Sequence, residues 1–180
     1  MVPQYISKYG LYSACFCVFP NCIITYYYGY YCMSILFGLL YISTMLHWYK
    51  IQDGWIKIFD ISVALLVLYR LTFIERLKLA PIYQTYWLYV FFIVLMTFII
   101  NEIVFYVKVR KECTQYTTWP LRLLNYTKPD TKERESCLYR SVFTHILFIH
   151  LLPTITFGSF VILSNNFSNT VCDSISTPLL

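Results

Sequence analysis

The sequence predicts an all-α fold: a polytopic bundle of transmembrane helices with about five spans, four being the alternative. Three observations predict it. The chain of 180 residues is 58% hydrophobic and 20% aromatic but only 13% charged, too little polar surface to cover a globule in water. No Asp, Glu, Lys or Arg occurs across residues 9–49, 79–101 or 141–172. About 20 apolar residues cross a bilayer, and a charge at its centre costs roughly 2.5 to 3.5 kcal/mol on insertion scales. Finally, these apolar runs are continuous and lack the alternation of barrel strands, and lipid admits only helices and closed barrels.

The expected spans are residues 11–28, 32–49, 55–74, 82–107 and 141–164, all within one membrane domain covering 1–180. The first is the weakest, because Pro20 and Asn21 interrupt it and would suit a re-entrant segment. "YYYGYY", residues 26–31, joins a turn-permissive Gly29 to tyrosines that favour the headgroup layer, which fits a tight helical hairpin. Between the second and third spans, Trp48, Tyr49 and Trp55 are expected to anchor helix ends, with Gly54 at the bend and Lys50 and Lys57 near lipid phosphate. The segment "KPDTKERES", residues 128–136, reads as a polar, mobile loop.

Basic residues orient the bundle. The loop 108–140 carries eight Lys or Arg, and the tail 165–180 carries none. By the positive-inside rule the loop is cytosolic and the tail is luminal or extracellular. The expected partners are the bilayer and anionic lipid headgroups. The formal charge of +5 is too small and too concentrated in one loop to imply nucleic acid. The seven cysteines include Cys15, Cys17, Cys22 and Cys32 in or beside apolar runs, which reads as buried thiols rather than a disulfide framework. "KVRKEC", ending at Cys113, is a juxtamembrane setting for palmitoylation, although a plain basic anchor is the commoner case. The sequons at Asn125 and Asn166 are poor glycosylation acceptors, one facing the cytosol and one close to the bilayer.

Up-and-down spans bring several polar residues to one depth, toward the basic loop. Ser43 and His47 end the second span, Asp60 begins the third, Glu102 ends the fourth, and His145 and His150 begin the fifth. Ionisable residues within a membrane usually face one another or a wet cavity, so this layer is the candidate site; snorkelling to the interface is the bland reading. Neutral imidazoles with a carboxylate can bind zinc and turn its water into a nucleophile for an amide or ester. His47, His145 and His150 would be the zinc ligands, Asp60 or Glu102 would move protons, and Ser43 would donate to an oxyanion.

Ser43 and His47 stand four apart, on one helical face. His145 and His150 stand five apart, about 140° around an ideal helix. Pro153 removes the donor to the carbonyl of Ile149 and can promote a π-bulge, which would bring the two histidines into line.

"SxxxH", then Asp, then a late histidine pair resembles the CREST superfamily of alkaline ceramidase-like membrane hydrolases, a likeness that implies a catalytic zinc. Here Asp60 lies farther from His47, the final pair is HxxxxH rather than HxxxH, and the spans are fewer than in that family. A closer likeness, over residues 43–73 and 145–163, is to small uncharacterised multi-pass proteins of protists and large DNA viruses. It rests on Ser43, His47, Trp48, Gly54, Trp55, Lys57, Asp60, His145 and His150, and it implies a membrane protein of no assigned activity. Two classes of function are therefore expected: a metal-dependent hydrolase of lipid amides or esters, or a non-catalytic structural or adaptor protein of a cellular or viral membrane.

Overall fold

The computed structural model describes residues 4–49, 54–105 and 132–176, and among them every regular element is helical. Helix α1 (Gln4–Ser13) runs through a π-helical turn (Ala14–Val18) into α2 (Phe19–Tyr27). After a turn come α3 (Tyr31–Tyr49) and α4 (Gly54–Phe73), then a 3-10 turn (Glu75–Lys78) and α5 (Pro81–Phe105). The last rod is α6 (Lys132–His145), a second π-helical turn (Ile146–Leu151) and α7 (Leu152–Ser176). These make five helical rods, the expected all-α bundle.

Among the described residues, three segments are long and apolar enough to cross a membrane: Tyr31–Tyr49, Pro81–Asn101 and Tyr139–Asn166. Helix α4 has 20 residues but carries Lys57, Asp60 and Arg70, which dilute its apolar character. The distribution of side chains argues the same way. Ser13, Thr25, Ser34, Ser43, Thr44, Thr72 and Thr154 are buried between helices, whereas Ile35, Ile42, Phe92 and Ile103 lie outward and exposed. Water would favour the reverse; lipid favours small and hydroxyl-bearing residues between helices and large apolar ones outside. The chain is an integral membrane protein.

The "YYYGYY" hairpin forms as its residues dictate. Gly29 has φ +79°, in the region glycine enters without steric cost, and Tyr30 N–H donates to Thr25 O at 2.8 Å to close the turn. Below it, Phe157 is an aromatic hub. Trp87, Tyr30 and Phe37 surround it with ring centroids at 5.4, 6.3 and 6.5 Å. Trp87 is fully buried, and its Nε1 donates to Thr72 Oγ1 at 3.1 Å, so the indole N–H has an acceptor.

One expectation is corrected. The segment read as a mobile loop is helical from Lys132, because α6 continues into the last span; helix also runs on past that span to Ser176. The remainder of the basic loop, with Cys113 and Asn125, lies outside the described residues, as does Lys50. Asn166 lies within α7 rather than on a loop.

Candidate functional site

The polar layer is built by the meeting of α3, α4, the first rod and the second π-helical turn. On α3, Ser43 and Thr44 are both fully buried and both point at α4. Ser43 Oγ donates to Asp60 Oδ1 at 2.8 Å, and Thr44 Oγ1 donates to the same oxygen at 3.0 Å. Asp60, itself buried, is held as an acceptor of two hydroxyls, the arrangement that lets a carboxylate persist away from water. Ser43, expected as an oxyanion donor, instead spends its hydrogen on Asp60 or on Leu40 O, at 3.0 Å.

Pro153 distorts the last rod as its position requires. It has no N–H for Ile149 O, and two residues before it the backbone widens into the π-helical turn Ile146–Leu151. Leu152 N–H bonds Leu147 O, five residues back, and Thr154 Oγ1 donates to His150 O. The widened turn puts His145 and His150 on one face, with ring centroids 4.9 Å apart and planes at 74°. The pair that an ideal helix would separate is thereby assembled.

The first rod repeats the device. Ala14–Val18 is π-helical just before Pro20, and Phe19 N–H bonds Ala14 O. Asn21 Nδ2 donates to Cys17 O at 2.9 Å, supplying a donor where the backbone ladder is disturbed. The first rod packs on the last through Ser13, whose Oγ lies 2.8 Å from His150 Nδ1. Ser13 also donates to Gly10 O at 2.8 Å.

His47 is buried on α3, beside Trp48, at 5.1 Å between ring centroids. Trp48 in turn stands 6.1 Å from His145. Trp48 was expected at the headgroups, but it is 3% exposed and turned inward, its indole packed so close to Gly10 that a Cβ there would collide with it. Trp55 and Tyr49, at 78% and 79% exposure, face outward. Lys57 and Glu102 lie in α4 and α5, and their side chains fall outside the described set.

A zinc centre on His47, His145 and His150 needs three nitrogens to converge on one point. Trp48 contacts both His47 and His145, and Ser13 occupies one nitrogen of His150. Among the described residues no group of three His, Cys, Asp or Glu is placed to hold a metal ion. The three histidines are thus not brought together as a metal-binding group in this structure.

Asp60, His145 and His150 do share one feature: all three line a single cavity of about 80 Å³. Apart from Thr154 on the last rod, its other walls are apolar, from Phe37 and Leu40 on α3, Leu65, Leu68 and Leu71 on α4, and Val94, Leu95 and Phe98 on α5. Asp60 and the histidines stand at one end; Leu71 marks the other, eleven residues and about 16 Å along α4. That is about half the thickness of a bilayer's hydrocarbon core.

At the opposite end of the bundle lies a cluster the sequence reading passed over. Glu75 is 1% exposed, with Arg70 Nε at 2.9 Å and Lys78 Nζ at 2.6 Å from its two oxygens. Lys78 also sits over the Tyr30 ring, 5.3 Å from its centroid. Burial, and secondarily the Glu75 carboxylate, push the Tyr30 phenol above the ordinary tyrosine range. A charged "ERLK" beside a span reads as exposed loop in sequence; only the 3-10 fold-back after Phe73 buries its glutamate.

No protein-family model matches the chain, and comparison with curated proteins and with solved structures returns no match.

Proposed function

We propose that this membrane protein admits one acyl chain of a lipid into the cavity beside α4 and presents the lipid's amide or ester linkage to Asp60, His145 and His150 for hydrolysis. The observation that carries this reading is the cavity's polarity: apolar walls along α3, α4 and α5, with a carboxylate and two imidazoles at one end. Such a lining suits a ligand with an apolar body and one polar junction, only part of the acyl chain being enclosed at about 80 Å³. An imidazole can accept the proton of an attacking water and return it to the leaving group, and a carboxylate across the cavity stabilises the imidazolium that forms between. This reading calls on no zinc, since among the described residues no group of three donors is assembled to hold a metal ion.

The basic loop 108–140 supports an orientation with that loop cytosolic, next to anionic headgroups, and the C-terminal tail on the far side.

The test is release of fatty acid from an N-acyl sphingoid base, and from a lysophospholipid ester, by purified protein in vesicles. Activity lost in His150→Ala and in Asp60→Asn supports the hydrolase. Absence of any product from folded wild type refutes it.

One observation favours a second reading. Ser43 and Thr44 satisfy Asp60 inside the α3–α4 pair, so the carboxylate also works as a staple between helices. A structural or adaptor protein of a cellular or viral membrane would need no more than this. Under that reading His150→Ala leaves both fold and biological role intact.

A further inference from the structure

Ser13 and His150 are linked across two rods, each widened into a π-helical turn just ahead of a proline. Ser13 is buried and does not line the cavity; His150 is buried and does. One ring nitrogen thus faces a protein partner, the ring packs edge-on against His145, and the residue borders the cavity.

The proton count at this contact is restrictive. A serine hydroxyl has one hydrogen to donate and lone pairs to accept with. Ser13 Oγ lies 2.8 Å from Gly10 O, a carbonyl that can only accept, and 2.8 Å from His150 Nδ1. Both contacts are hydrogen bonds at once only if the hydroxyl hydrogen goes to Gly10 O and Nδ1 donates to Ser13. Were Ser13 to donate to Nδ1 instead, the short approach to Gly10 O would set two lone pairs against each other. A neutral imidazole carries a single N–H, so its other nitrogen is then a bare acceptor.

From this geometry we propose that Ser13 is a positioning residue which fixes His150 as the Nδ1–H tautomer and leaves Nε2, the proton acceptor, to the cavity. The role rests on the hydrolase reading; the tautomer does not. In hydrolysis, Nε2 takes a proton from water as the water oxygen bonds to the carbonyl carbon. It then gives that proton to the departing nitrogen or oxygen as the acyl bond breaks. Throughout, Nδ1–H stays on Ser13, which accepts a stronger hydrogen bond when the ring is charged. Ser13 itself touches no reacting atom.

The π-helical turns explain how the contact is reached. The second turn swings His150 toward the first rod and alongside His145, and the first turn begins at the residue after Ser13. Ser13 is no motif in sequence, since a serine in an apolar helix is commonplace.

The experiment is nitrogen-15 NMR of full-length protein labelled at histidine, in lipid nanodiscs at a pH where the ring is neutral, with His150 assigned by its loss in His150→Gln. The expected wild-type spectrum has a protonated, pyrrole-type Nδ1 and a bare, pyridine-type Nε2. Ser13→Ala is expected to raise the Nε2–H population about fivefold, the worth of one net hydrogen bond. Ser13→Thr, which keeps the hydroxyl, restores the wild-type pattern. A wild type dominated by Nε2–H overturns the proposal, and so does a folded Ser13→Ala whose His150 shifts equal the wild type's. If Ser13→Ala does not fold, the wild-type and Ser13→Thr spectra still decide. Because the readout is a spectrum, a confirmed tautomer without lipid hydrolysis would remove the hydrolase reading alone.

Discussion

His145 and His150 face each other with ring centroids 4.9 Å apart, although five residues separate them in one rod. The π-helical turn between them makes that approach, and Pro153 makes the turn. Replacing Pro153 with leucine restores the missing N–H and lets the backbone return to α geometry, rotating the rings apart. Ring-to-ring nuclear Overhauser contacts between the two histidines are expected to disappear in Pro153→Leu. Their persistence would mean that packing against the first rod, rather than the proline, sets the turn.

Asp60 depends on its two hydroxyl donors. Ser43→Ala and Thr44→Ala each leave a buried carboxylate short of a partner, at an expected cost of about 1 to 3 kcal/mol. Because both donors reach the same oxygen, the double variant should not equal the sum of the single ones. Thermal unfolding in one detergent, compared across the four combinations, measures the coupling.

Gly10 and Gly158 mark close approaches between rods. A Cβ on Gly10 would overlap the Trp48 ring, and one on Gly158 would stand 2.7 Å from Asn21 Oδ1. Either alanine variant is expected to destabilise by about 1 to 3 kcal/mol, the usual cost of overpacking. Gly10→Ala alone should also change Trp48 fluorescence. An unchanged emission would place the indole elsewhere.

Metal content separates the zinc expectation from the observed arrangement. With Trp48 contacting both His47 and His145, elemental analysis of purified protein should give the same zinc content in wild type, His47→Ala and His145→Ala. Stoichiometric zinc that vanishes in both variants would require the three histidines to converge.

At the other end of the bundle, the raised Tyr30 affinity for its proton sets an alkaline limit. The folded chain holds that proton to higher pH than the unfolded one, whose tyrosines titrate near about 10. Its contribution is complete below that value and is lost as pH rises through the folded pKa. Tyr30→Phe is therefore expected to reduce the part of the tyrosinate absorbance titration that lies above the ordinary tyrosine range.

The fold was legible because it follows from bilayer physics. Charge-free runs located the rods to within a few residues at most ends, and Gly29 marked the hairpin. The site was half legible. Ser43 with Asp60, and His145 with His150, came from depth and helical phase, and Pro153 pointed to the backbone change that unites the histidines. Trp48 was misplaced because an indole near a helix end suits the headgroups as well as the interior, and only Gly10 across the interface draws it inward. Thr44 and Ser13 carried no signal, since hydroxyls between membrane helices are ordinary. Glu75 was missed because its burial depends on a 3-10 fold-back that leaves no pattern in the apolar runs.

The most direct test of the acyl-chain cavity is photolabelling with a lipid amide that carries a diazirine near the end of its chain. In vesicles containing the protein, the cavity predicts labelled peptides around Leu68 and Leu71 on α4 and Val94 on α5. The label should be displaced by excess unlabelled lipid. Label spread without displacement over outward residues such as Leu66, Phe92 and Ile103 would contradict it.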